Sequence, residues 1–152
     1  MDSPGPVFFT HERVGKAGKP FRLYKFRTMQ VETNQYEVSP LSPDDPRITR
    51  IGRFLRKTSL DELPQIINVL KGEMSLVGPR PEMPFIVATY DDIHKARLAV
   101  LPGITGLWQL SADRRKPIHE NMDYDLYYIK NMSFFLDITI LINTLFFAIR
   151  GV

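Results

Sequence analysis

The chain has 152 residues, of which 43% are hydrophobic and 24% charged, and this excludes a disordered chain or a collagen-like repeat. It has no cysteine, so a disulfide scaffold, a thiolate zinc site and a thiol nucleophile are all excluded. The net charge of +3 is too small to indicate a nucleic-acid partner, and the length suits one ordinary domain.

The charge is uneven. Residues 1–80 hold 13 basic and 9 acidic side chains, against 7 and 8 in residues 81–152. The excess gathers in Arg47, Arg50, Arg53, Arg56 and Lys57, with no acid from Arg47 to Leu60, so an anionic partner is expected to meet the first half. The opening Met1-Asp2-Ser3-Pro4-Gly5-Pro6 lacks the basic and apolar regions of a signal peptide, and reads as the start of a domain cut from something longer.

In chain order, residues 7–13 and 20–28 are β-rich runs separated by Gly15-Lys16-Ala17-Gly18-Lys19, which predicts a hairpin. The second run alternates, with Phe21, Leu23 and Lys25 on one face and Arg22, Tyr24 and Phe26 on the other. Residues 30–46, punctuated by Pro40, Pro43 and Pro46, predict a loop. From Arg47 to Lys57, Ile48, Ile51, Phe54 and Leu55 have helical spacing while arginines recur every three residues, a basic amphipathic helix.

Ser59-Leu60-Asp61-Glu62 has the spacing of a capping box ahead of Leu63, Ile66, Ile67, Val69 and Leu70, with Gly72 as the stop. Pro64 conflicts with a start at Leu60, and Asp61 as N-cap removes the conflict. Either placement leaves both acids at a helix N-terminus. Residues 74–81 predict a short strand and a rigid turn, 84–100 a helix, and 102–110 a strand or loop. Two more helices are expected over 117–130 and 134–149. The last is too short to span a bilayer and is interrupted by Asp137 and Asn143, so it is expected to be buried or to lie in a membrane interface. The expected fold is one α+β domain over residues 1–152, helix-heavy in its second half.

Three constellations carry possible chemistry. Asp61-Glu62 reads by itself as ordinary acids complementing a helix dipole. Beside Arg50, Arg53, Arg56 and Lys57, and with Arg80 downstream, the pair also reads as a metal and phosphate site. A carboxylate there holds Mg²⁺ or attacks phosphorus as a nucleophile. In Gly78-Pro79-Arg80-Pro81, two prolines present one guanidinium with little entropy left to lose. Lys25 and Arg27 set two cations on a strand, which reads equally as a charged strand edge. His11, His94 and His119 share no motif and read as surface or packing residues. Trp108 has the means to stack a base but reads first as core, and Tyr124, Tyr127 and Tyr128 suit helix packing or a membrane interface.

Five ordered motifs together resemble the bacterial sugar transferase family, the monotopic polyprenyl-phosphate phosphoglycosyltransferases. They are Tyr24-Lys25-Phe26-Arg27-Thr28-Met29, Arg56 with Thr58 to Gln65, Asn68-Val69-Leu70-Lys71-Gly72, Met74 to Pro81, and Pro102-Gly103-Ile104-Thr105-Gly106. The resemblance implies transfer of a sugar-1-phosphate from a UDP-sugar donor to a polyprenyl (undecaprenyl) phosphate acceptor. UMP is released, and the step opens the assembly of a surface polysaccharide such as lipopolysaccharide, capsule or exopolysaccharide. It implies Asp61 as nucleophile, forming a covalent aspartyl-phosphosugar, and Glu62 as the ligand of Mg²⁺. Arg56 and Arg80 match phosphate-binding arginines, Lys25 a site lysine and Asp125 an acidic residue of the site, with Arg27 counted beside Lys25. The family's membrane-entering N-terminal helix is absent from this sequence, and the implied location is the cytoplasmic face of the bacterial inner membrane. Where many members carry Gly-Arg after Trp-Gln, Ser111-Ala112-Asp113 stands here, and Arg114, followed by Arg115, is the candidate for a nucleotide-binding role. Two alternatives stand against this reading. A non-catalytic membrane-surface or assembly module is opposed by the intact dyad, and a nucleic-acid binder by the two acids amid the basic cluster.

Overall fold

The computed structural model describes residues 3–33, 42, 44–114 and 116–150. Pro40, Pro43 and Arg115 lie outside the described residues, as does the side chain of His119. Strands β1 (Phe8–Val14) and β2 (Pro20–Phe26) form the expected antiparallel hairpin. The alternation of β2 has the expected sense, because Phe21 and Leu23 are buried while Arg22 is exposed. Phe9, His11 and Arg13 pair across the ladder with Lys25, Leu23 and Phe21, so all six side chains share one face.

Helix α1 (Arg50–Lys57) starts later than expected. Thr49 is its N-cap, accepting the Gly52 N–H at 2.9 Å, while Ile48 bridges to Met29 and is buried before the helix begins. Gly52 is obligatory for this packing, since a Cβ there would lie 2.1 Å from the Thr28 carbonyl oxygen. The helix therefore lies directly against the backbone at Thr28, two residues past β2.

The capping box does not form. Ser59 is left-handed, with φ 56°, and makes no side-chain cap. Residues Leu60–Gln65 make a 3₁₀ segment, and only past Pro64, which has no N–H to donate, does regular helix α2 (Ile66–Leu70) begin. Asp61 and Glu62 still stand in the first turn, and Gly72, at φ 74°, ends the segment as expected. Asn68, fully buried, fastens this segment to the hairpin. Its Oδ1 accepts the Tyr24 N–H at 3.1 Å, and its Nδ2 donates to the Arg22 carbonyl and to Glu73, both at 2.7 Å.

Strands β3 (Ser75–Val77) and β4 (Gly103–Thr105) pair in parallel. Their backbones close on one another where glycine alone fits, because a Cβ on Gly103 would sit 2.1 Å from the Gly78 nitrogen. Two hydrogen bonds of 2.9 Å, Gly78 N–H to Thr105 and Gly103 N–H to Pro79, clamp the start of the Pro79-Arg80-Pro81 turn. The helix expected over 84–100 is broken. Helices α3 (Pro84–Val87) and α4 (Asp92–Lys95) flank a turn at Tyr90, and a 3₁₀ turn, Ala96–Ala99, follows. Asp91 caps the restart by accepting the His94 N–H at 2.9 Å, and Tyr90 is turned inward.

Helix α5 (Leu107–Leu110) follows β4, and a 3₁₀ turn over Ile118–Glu120 replaces the front of the helix expected from 117. Helices α6 (Asp123–Asn131) and α7 (Phe134–Arg150) complete the α+β fold. One core cluster joins Phe21, Leu23 and Met74 under the hairpin, and another joins Val77, Tyr128 and Ile140 where α6 and α7 meet β3. Asp137, the acid that interrupts the apolar α7, accepts the Tyr128 hydroxyl at 2.8 Å. Much apolar surface stays outside the core: Ile51 and Phe54 on α1, Leu63, Ile66 and Leu70 around α2, and Phe134, Phe135, Ile142, Leu145 and Phe146 on α7. Among the described residues no helix is long and apolar enough to cross a membrane.

Candidate active site

Four elements converge on the dyad: the hairpin, the 3₁₀ segment, α1 and the clamped turn. Glu62 Oε1 accepts Lys25 Nζ at 2.7 Å and Arg80 Nη2 at 3.1 Å. Burial alone would raise the Glu62 pKa, but the charges and hydrogen bonds of Lys25 and Arg80 outweigh it and hold the carboxyl down at about 2. Glu62 is thus ionised at any working pH. Arg80 is held above its ordinary value by the same Glu62 charge.

Asp61 is in a different state. Its side chain makes no hydrogen bond or ion pair among the described residues, although Lys25, Arg56 and Arg80 lie close enough to act on its charge. Burial raises its pKa and the neighbouring Glu62 charge adds to this, while the three cations pull back without cancelling the rise. A carboxylate surrounded by cations but tied to none of them is accessible to a phosphorus centre, and the cations are available to the phosphate oxygens.

Arg56 reaches this group because Gly52 lets α1 lie against the backbone at Thr28, and its Nε donates to Thr28 Oγ1 at 2.9 Å. Arg50, Arg53 and Lys57 are exposed on the rest of α1. His11 and Arg13, on the same hairpin face as Lys25, also border the site. Arg13 Nε donates to His11 Nε2 at 3.2 Å. His11 is neutral, pushed down to about 3 by burial and by Arg13, Lys25 and Arg80, and Arg13 is lowered to about 10 by burial and by Arg80.

The structure thus gathers Lys25, Arg56, Asp61, Glu62 and Arg80. Three other candidates lie elsewhere. Arg27 turns to the opening of the chain, donating to the Pro6 carbonyl at 2.7 Å, to Ser3 Oγ at 2.8 Å and to the Met29 carbonyl at 3.2 Å. Lying just beyond β2, it straps that segment down instead of meeting the dyad. Arg114 stacks over Phe147 of α7, 5.3 Å from the ring centroid. Asp125 is buried and paired with Arg97 at 2.7 Å, one step behind Arg80.

Sequence reasoning missed Thr28, Asn68, Glu82 and Arg97. Asn68 had a signal, a lone amide in the apolar run Ile66-Ile67-Asn68-Val69-Leu70, whereas Arg97 had none. Of the aromatic candidates, Tyr128 is core, Tyr127 is exposed, and Tyr124 donates to Asp113 at 2.8 Å. Trp108 is half-buried on α5.

Magnesium is the ion the resemblance implies. Among the described residues no three acidic or histidine side chains come together as a metal cage. The donors nevertheless fit magnesium, which binds through one or two carboxylates and takes its remaining ligands from phosphate and water.

These motifs and this geometry agree with a match to the bacterial sugar transferase family model over residues 1–151. The chain belongs to that family. It is 43% identical over 154 residues to the UDP-glucose:undecaprenyl-phosphate glucose-1-phosphate transferase of Escherichia coli, covering 96% of this chain and 33% of that protein. It is 42% identical over 158 residues to the UDP-N-acetylgalactosamine-undecaprenyl-phosphate N-acetylgalactosaminephosphotransferase of Aeromonas hydrophila, with 99% and 37% covered. An uncharacterized sugar transferase of Bacillus subtilis is 47% identical over 139 residues, with 91% and 68% covered. The chain therefore spans about a third of the length of the Escherichia coli and Aeromonas hydrophila relatives.

Proposed function

We propose that this chain is the catalytic domain of a transferase that moves a sugar-1-phosphate from a UDP-sugar to polyprenyl phosphate. The Asp61 carboxylate attacks the phosphorus that carries the sugar, the bond from that phosphorus to the bridging oxygen breaks, and UMP leaves. A phosphate oxygen of the polyprenyl phosphate then attacks the same phosphorus, restores Asp61 and forms the lipid diphosphate sugar. Lys25, Arg56 and Arg80 hold the phosphate oxygens and offset the charge that builds at each displacement. Glu62 positions Lys25 and Arg80, and together with phosphate it would hold Mg²⁺, which when bound adds Lewis-acid charge neutralisation.

The observation that carries this reading is the contrast within the dyad, Glu62 paired with two cations and Asp61 with none. The exposed apolar faces of α1, α2 and α7 support work at a membrane surface, where the lipid acceptor resides. The cytoplasmic face of the inner membrane is the side on which a nucleotide sugar is met. Relatives naming different sugars have almost equal identity to this chain, so overall similarity selects no sugar.

The test is intact mass after incubation with Mg²⁺ and a panel of UDP-sugars, without lipid acceptor. The expected result is gain of one sugar phosphate by the unmodified chain and none by Asp61→Asn. An adduct that survives in the Asn variant removes Asp61 from the nucleophile's role.

A further inference from the structure

Behind the turn that presents Arg80 lies a second ionic cluster that touches neither Asp61 nor Glu62. Its centre is Arg97, whose side chain is 3% exposed. Each nitrogen of the guanidinium is engaged. Nε donates to Asp125 Oδ2 at 2.7 Å, Nη1 to Glu82 Oε2 at 2.7 Å and also to the Tyr90 hydroxyl, and Nη2 to the main-chain carbonyl of Arg80 at 2.7 Å. Tyr90 in turn donates to Glu82. The partners come from the clamped turn, the break between α3 and α4, and α6, so three separate segments meet on a side chain carried by a fourth.

We infer that Arg97, held by Asp125, Glu82 and Tyr90, is a positioning residue that fixes the backbone of Arg80 and through it the phosphate-facing guanidinium. The inference rests on the functional reading above and revises the place of Asp125, which acts on Arg80 through Arg97 and does not meet substrate. The chemistry of the donor explains the choice of residue. Only a planar fork reaches a carboxylate on one edge and a main-chain carbonyl on another while staying charged. Pro79 and Pro81 stiffen the turn on both sides, and the Gly78–Thr105 and Gly103–Pro79 hydrogen bonds clamp its base. The Arg97 bond fixes the carbonyl at the turn's tip. A shift of the guanidinium away from the phosphate positions is costly to phosphoryl transfer, where geometry supplies much of the rate.

Arg97→Lys tests this, because it preserves the charge facing Asp125 and Glu82 but removes the fork. Tyr90→Phe is the milder second variant, removing only the shared hydroxyl. Two readouts are taken on the 152-residue chain, the nitrogen-15 order parameter of the Arg80 Nε–H and the rate of adduct formation with a UDP-sugar. Both rates are repeated in an Arg80→Ala background. The expected result is a fall in the Arg80 order parameter from near 0.85 toward 0.6 or below in Arg97→Lys, and a smaller fall in Tyr90→Phe. Adduct formation slows about tenfold in Arg97→Lys but less than about twofold when Arg80 is already Ala. An unchanged order parameter in a folded variant overturns the inference, as does an equal loss in both backgrounds. If Arg97→Lys does not fold, Tyr90→Phe decides by the same readouts. If the unmodified chain forms no adduct, the functional reading fails while the order parameter still decides the positioning one.

Discussion

Two ionic clusters meet at Arg80, and they are built in opposite ways. The Lys25–Glu62–Arg80 group is partly open, with Glu62 19% and Arg80 32% exposed, and each cation has one acidic partner that a substrate phosphate can replace. The Glu82–Arg97–Asp125 group is buried, its three side chains between 2% and 8% exposed, and every nitrogen of its central guanidinium is hydrogen-bonded. In the proposed reaction the first exchanges partners. The second is suited to holding still, since a buried ion pair broken on one side leaves an uncompensated charge. On the proposed function, one protein uses the same residue types for chemistry and for scaffolding, and solvent exposure separates the two uses.

The largest expected effect breaks the open cluster. Glu62→Gln removes the charge that gathers Lys25 and Arg80, and turnover should fall about 10²–10³-fold in a single-turnover assay. The pH dependence of its stability sharpens the contrast. Because the folded Glu62 pKa is depressed to about 2, the stabilisation is complete above the ordinary carboxylate value and is lost as pH falls through 2. The Tm gap between the unmodified chain and Glu62→Gln should therefore close over that acid window. Asp61 has the opposite sign. Its raised pKa means that the ionised form weakens the fold, so Asp61→Asn should raise Tm at neutral pH, with the gain disappearing in acid.

A smaller effect is expected where the hairpin is fastened to the dyad segment. Asn68→Ala leaves the Tyr24 N–H and the Arg22 carbonyl without their side-chain partner, at a cost of about 1–3 kcal/mol measured by urea unfolding. The smallest is at the apolar surface. Phe135→Ser, at a position 81% exposed, should change stability in water by less than about 0.5 kcal/mol. The same change should weaken sedimentation with anionic vesicles. Unchanged sedimentation would remove α7 from the membrane-facing surface.

Much of the first half is legible along the chain. The hairpin, the glycine stop at Gly72 and the rigid Arg80 turn all follow from local rules, namely strand alternation, left-handed tolerance and proline geometry. Local rules fail where two of them conflict or where a tertiary partner overrules them. The capping-box spacing at Ser59 is defeated by a left-handed residue and by Pro64, and the 84–100 helix is broken to bring Tyr90 inward to Glu82 and Arg97.

By itself, the sequence determined which residue types were available and the local conformations they favour: two adjacent acids, a cation on a strand, an arginine between prolines. Alternation, capping chemistry and fixed proline torsions act over a few residues, so they can be read along the chain. Only the tertiary structure decided which cations reach the dyad. Lys25 and Arg56 do so because Asn68 and Gly52 bring distant segments within van der Waals distance, while Arg27, two residues from Lys25 and just past β2, turns to the opening of the chain. Electrostatic partnership depends on separation in space, and a pattern along the chain carries no measure of that distance.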